Sequence, residues 1–172
     1  MIEVLVAYAS KHHSTEGIAF DIGKNLRQQG LSVEVHSVDN VDSLERFDVV
    51  ILGSAVYAGR WMKEMQQFLK QHVEALAQRE VWLFSSGPTG EGDPVDLVKG
   101  AVYPESLRNI ITQIQPRDIA VFHGKLDMNE LGFGERLIVK GVKAPTGDFR
   151  DWEMIEAWAE SIVTALRQKV VE

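Results

Sequence analysis

Short, continuously apolar runs alternate along the chain with longer segments whose apolar residues recur every three or four positions. Val4-Leu5-Val6-Ala7-Tyr8 has no polar face, which predicts a strand buried on both sides. Ile18, Ala19, Ile22 and Leu26 then follow at helical spacing up to Gly30, a natural helix stop. Residues 31–38 alternate around Val33 and Val35, as in a strand with one more exposed face. Residues 47–52 predict a third, buried strand stopping at Gly53, and Met62, Met65, Phe68, Leu69, Val73 and Leu76 mark an amphipathic helix. Val81-Trp82-Leu83-Phe84 reads as a fourth strand, ending in a turn-rich run from Ser85 to Pro94. Leu107, Ile110, Ile111 and Ile114 predict a helix, and Ile119-Ala120-Val121-Phe122 a fifth strand. Residues 124–150 are longer than a usual strand-to-helix loop, with a short helix predicted over 135–142. Trp152, Ile155, Trp158, Ile162 and Leu166 mark the last helix.

Strands that alternate with helices imply a parallel sheet covered on both faces, and five strands suit the order 2-1-3-4-5. With no internal repeat or linker, one domain is expected over residues 1–172. In such sheets a ligand sits beyond the carboxyl ends of the strands, beside strand one. The loops after strands one, three and four are therefore the candidates for chemistry.

Composition narrows that chemistry. There is no cysteine, which removes disulfides, thiolate metal sites and thiol redox chemistry, so redox work would need a bound cofactor. The net charge of −7 argues against nucleic acid as a partner. No apolar run approaches the ~20 residues of a membrane span, and residues 1–6 lack the features of a signal peptide, so a cytoplasmic location is expected.

The first loop holds Ser10, Lys11, His12, His13, Ser14 and Thr15 at a predicted helix N-terminus, where free N–H groups and the helix dipole favour a phosphate. A simply capped helix reads equally well. The second loop holds Ala55, Val56, Tyr57, Ala58 and Gly59, small enough for a flat ring to approach, with Tyr57 or Trp61 able to stack on it. Of those two aromatics, Trp61 is the better core candidate. The third loop opens with Ser85, Ser86, Gly87, Pro88 and Thr89, and its backbone N–H groups, which Pro88 lacks, could meet a ring's polar edge. The sequence has neither a P-loop nor a dinucleotide fingerprint. It has no metal-ligand spacing, no nucleophile elbow and no acidic phosphate-acceptor cluster either. No catalytic residue stands out.

The order of Val4–Ser10 with Thr15 and Ala19, Val50-Ile51-Leu52-Gly53-x-Ala55-Val56-x-x-Gly59, Phe84-Ser85, Gly124-Lys125-Leu126 and Asp151-Trp152-Glu153 resembles the flavodoxin family. Within it the likeness is greatest to the menaquinone-dependent protoporphyrinogen IX dehydrogenase group, and it covers nearly the whole chain. The resemblance implies a flavodoxin-like three-layer sandwich and FMN, with phosphate in the first loop and ring between the second and third. His13 stands where the family usually has glycine, a strained choice if the backbone there takes positive φ. Tyr57 lies one place before the position of that group's tyrosine, which is Ala58 here.

The resemblance implies an FMN-dependent oxidoreductase that passes electrons from a reduced small-molecule substrate to a quinone or other acceptor. The alternative is a flavodoxin-type electron carrier with a redox partner protein, to which an acidic surface is suited. Residues 124–150 distinguish the two, because a carrier needs no substrate pocket. Leu131, Phe133, Leu137, Ile138 and Val142 give that segment an apolar side, and Arg136, Lys140 and Lys143 a basic one. The apolar side either covers the sheet edge or makes weak contact with an anionic membrane surface.

Overall fold

The computed structural model describes residues 1–169; residues 170–172 of the expected domain lie outside the described residues. Five parallel strands form its centre: β1 (Glu3–Ala9), β2 (Ser32–Ser37), β3 (Val49–Tyr57), β5 (Glu80–Ser86) and β6 (Asp118–Phe122). They lie in the order β2-β1-β3-β5-β6. A two-residue strand, β4 (Arg60–Trp61), pairs antiparallel with the end of β3. Leaving β4 aside, this is the expected order 2-1-3-4-5.

The apolar runs follow from burial on both faces of this sheet. In β1, Val4 and Val6 pack with Ile18, Ile22 and Leu26 of α1 (Ser14–Gln28) and with Ile155, Trp158 and Ile162 of α6 (Trp152–Lys169). Leu5 and Ala7 face the other layer, with Met65 and Leu69 of α2 (Lys63–Leu76) and Ile111 and Ile114 of α4 (Arg108–Ile114). A short helix, α3 (Pro94–Leu97), lies in the turn-rich connection between β5 and α4.

Two expected boundaries move. β3 does not stop at Gly53 but runs on to Tyr57, then reverses through Ala58 (φ 48°) and Gly59 (φ 71°) into β4. Positive φ at both turn residues matches the twist of a tight hairpin. Gly53 ends nothing; it makes room for the Phe84 ring, 1.9 Å from where a β-carbon would stand. β5 likewise continues through Ser85 and Ser86.

The extended segment forms a hairpin of β7 (Lys125–Leu126) and β8 (Gly147–Asp148), which encloses α5 (Phe133–Val142). Its two ends are fixed to the first turn of α1. The Lys125 N–H donates to Ser14 Oγ at 3.0 Å, and Arg150 Nη1 donates to the Ser14 carbonyl at 3.3 Å. The apolar side of α5 does not cover the sheet edge. Phe133 is 80% exposed and Ile138 67%, while Leu131, just before the helix, is buried.

Candidate functional site

The reversal of strand order between β1 and β3 opens a crevice at the carboxyl edge of the sheet. A cavity of about 340 Å³ fills it. Ser10, His12, Ser14 and Thr15 line one side, Ala55, Val56, Tyr57 and Ala58 a second, and Ser86, Gly87 and Thr89 a third. Residues of the segment 124–144 form the roof, among them Gly124, Leu126, Leu131, Glu135, Ile138 and Val139.

The first loop leaves buried polar atoms without partners at a helix start. His13 holds the left-handed conformation (φ 62°, ψ 1°) at the N-cap of α1, and its side chain caps no N–H of the first turn. Ser10 Oγ, Thr15 Oγ1 and His12 Nε2 are buried and lack hydrogen-bond partners, although all three residues line the cavity. Unsatisfied buried groups are costly, and an oxygen-rich ligand at a helix N-terminus would satisfy these. Ser86 Oγ, on the far side of the cavity, is orphaned in the same way.

Two other residues of this loop face elsewhere. Lys11 does not line the cavity; its Nζ pairs with the Glu135 carboxylate of α5. His12 Nε2 approaches the same carboxylate at 3.4 Å, an ion-pair distance without hydrogen-bond geometry. The Lys11 hydrogen bond, with a further one from the Gly132 N–H, holds Glu135 down to about pKa 2. His13 pairs with Glu16, whose carboxyl sits below its usual range chiefly through that bond. Glu16 also accepts from the Tyr8 hydroxyl at 2.9 Å. Burial and, after it, this hydrogen bond push Tyr8 up to about 12.

In the second region Tyr57 lies at the cavity wall, half-exposed, with its ring edge-on to His12 at 6.4 Å. Burial, then the Glu135 charge, raises its hydroxyl pKa. Trp61 is core, as its position at a helix start suggested. It is 2% exposed and donates from Nε1 to Ser85 Oγ at 3.1 Å. Ser85 Oγ in turn donates to the Val102 carbonyl at 2.9 Å, so its hydroxyl is used inside the fold.

Gly59, Ser85 and Pro88 line a neighbouring cavity of about 420 Å³. Val56, Ala58 and Gly87 border both cavities. The expected site residues thus divide between two adjoining spaces. Lys11 and His13 line neither.

Of the roof residues, Gly124 and Leu126 belong to a run that carries the resemblance, and Leu131 and Ile138 to the segment's apolar side; Glu135 and Val139 had only the segment's length to mark them. Gly124 has to be glycine. A β-carbon there would lie 3.1 Å from Gly87 Cα, so its absence lets the roof and third loop meet. Among the described residues, no cluster of three His, Asp or Glu side chains could hold a metal ion, and no helix is long and apolar enough to cross a membrane.

Comparison with known proteins agrees with this geometry. Residues 5–153 match the family described as Flavodoxin domain. The chain is 21% identical to "Protoporphyrinogen IX dehydrogenase [quinone]" of Escherichia coli K12 over 173 aligned positions, 94% of each chain. It superposes on oxidised Flavodoxin 2 from Bacillus cereus with a TM-score of 0.63 and 20% identity, covering 95% of this chain and 99% of that one. Against rubredoxin oxygen:oxidoreductase from Desulfovibrio gigas the TM-score is 0.66 at 16% identity, covering 99% of this chain and 37% of that one. An orphaned set of hydroxyls at a helix N-terminus, beside a slot open to a flat ring, fits the cofactor of the family to which this chain belongs, the flavodoxin family of FMN-binding electron-transfer proteins.

Proposed function

We propose that the protein is an FMN-dependent oxidoreductase of the protoporphyrinogen dehydrogenase-like type, passing electrons from a reduced substrate to a quinone or other acceptor. The observation that carries this reading is the roof. Nearly half of the residues lining the cavity come from the segment after β6. An electron carrier that docks another protein gains nothing from a walled chamber, whereas an enzyme uses one to exclude water and orient a substrate. The relative with quinone in its name aligns along 94% of the chain, which supports the same reading.

In this proposal the first-turn N–H groups of α1, Ser10 and Thr15 hold the phosphate. Ala55, Val56, Tyr57 and Ala58 flank the ring, and Ser86, Gly87 and Thr89 face its polar edge, while Gly59 and Pro88 line the adjoining cavity. Bound FMN supplies reversible two-electron chemistry; the protein positions it and tunes it. The exposed apolar side of α5, with Arg136, Lys140 and Lys143 beside it, faces a lipid-soluble acceptor at a membrane surface. Each such cation contributes about 1 kcal/mol near anionic lipid, so the attachment is weak and sensitive to salt.

The test is anaerobic turnover of the FMN-loaded protein with porphyrinogens, nicotinamide donors and quinones, with and without anionic vesicles. Quinone-coupled oxidation of a small substrate, weakened by the double change Lys140→Glu, Lys143→Glu, is the expected result. A protein that exchanges electrons only with protein partners overturns the proposal.

A further inference from the structure

We propose that Lys11 and Glu135 form a latch that holds α5 over the flavin cavity as a movable roof. The base of the segment 124–150 is fixed, since Ser14 binds both Lys125 and Arg150. Its far part is not. No residue of α5 is buried, and Phe133, Leu137, Ile138 and Val142 are exposed. Arg136 donates to Met128, within the same segment. Among the described residues, the contacts of Glu135 with Lys11 and His12 are the only polar contacts from α5 to residues outside the segment 124–150.

Glu135 is also the helix's own N-terminal clasp, accepting from the Gly132 N–H at 3.0 Å. One carboxylate therefore ends the helix and fastens it to the loop that receives the phosphate. An exposed ion pair is worth little in a well-packed protein. It governs opening here because little else holds the helix down. Segments with few buried contacts open at low free energy, and a ligand beneath α5 cannot leave until it lifts. Lys11 is then a positioning residue and not a phosphate ligand.

This inference rests on flavin binding in the cavity, and the experiment separates the two. Lys11→Met, Glu135→Gln and the swap Lys11→Glu, Glu135→Lys are prepared, with circular dichroism as the control for folding. Release of FMN and of riboflavin is followed by the return of flavin fluorescence, and amide deuterium uptake of α5 is measured in the cofactor-free protein. Either single change is expected to speed release of both flavins by up to about fivefold, the upper range for an exposed pair, and to raise uptake in α5. The swap is expected to recover only part of both effects, because it rebuilds the pair but removes the acceptor for the Gly132 N–H. Faster release of FMN alone makes Lys11 a phosphate ligand and overturns the latch, as does unchanged uptake in α5. A protein that binds no flavin fails the functional reading, and deuterium uptake then decides the latch by itself.

Discussion

The Phe84 ring lies over Gly53 so closely that a β-carbon on Gly53 would stand 1.9 Å from Phe84 Cζ. The contact sits in the central sheet, where Gly53 and Phe84 face each other across the β3–β5 ladder. Phe84 also meets Phe122 and Trp158 at ring-centre distances of 5.7 and 6.0 Å, so its ring has nowhere to retreat.

Gly53→Ala should accordingly destabilise the protein by about 1–3 kcal/mol, the usual cost of overpacking a core. Denaturant unfolding measures it. A variant as stable as the parent would mean that the Phe84 ring moves freely.

His13 gives the opposite sign. Its φ of 62° is a left-handed conformation that a side chain adopts at a cost, and the pair with Glu16 that offsets it is 84% exposed on the His13 side. His13→Gly is expected to raise stability by about 0.5–1 kcal/mol and to leave flavin affinity within twofold. A loss of stability would show that the Glu16 pair outweighs the backbone strain.

Most of the fold was legible in the sequence because the five central strands carry apolar runs that only a two-sided sheet can bury. The strand ends were not. Gly53 looks like a stop, and its true role depends on Phe84, which lies 31 residues further along the chain. The first loop was legible as a polar turn into a helix start, since Ser10 and Thr15 flank it, and the structure leaves both hydroxyls unpaired. The partner of Lys11 was not, because Glu135 lies 124 positions away. For α5 the pattern left burial and exposure open: an apolar stripe usually packs inward, and this one stays exposed beside the cavity.

Stability should also depend on pH through Tyr8. Its pKa is raised to about 12 in the folded protein, by burial first and the Glu16 hydrogen bond next. A raised value means that the contribution is fully present below about pH 10, the ordinary tyrosine value, and is lost as pH rises through about 12. The stability difference between the parent and Tyr8→Phe is expected to change over that window and to stay constant between pH 6 and 9. A flat difference up to pH 12 would contradict the Tyr8–Glu16 bond.

Thr15 tests where the phosphate sits. Its hydroxyl is fully buried without a partner, and a hydrogen bond to a charged group contributes about 1.5–3 kcal/mol. Thr15→Ala should weaken FMN binding by that amount and leave riboflavin, which has no phosphate, nearly unaffected. Equal weakening of both flavins would place the phosphate elsewhere.

The central claim is that the cavity between β1, β3, β5 and α5 takes FMN. Titration of the cofactor-free protein with FMN, followed by flavin fluorescence and visible absorption, tests it directly. One FMN per chain, with a shifted flavin spectrum and with competition by FMN analogues that keep the ring, is the predicted result. A protein that stays colourless and leaves the fluorescence of added FMN unchanged would contradict the account.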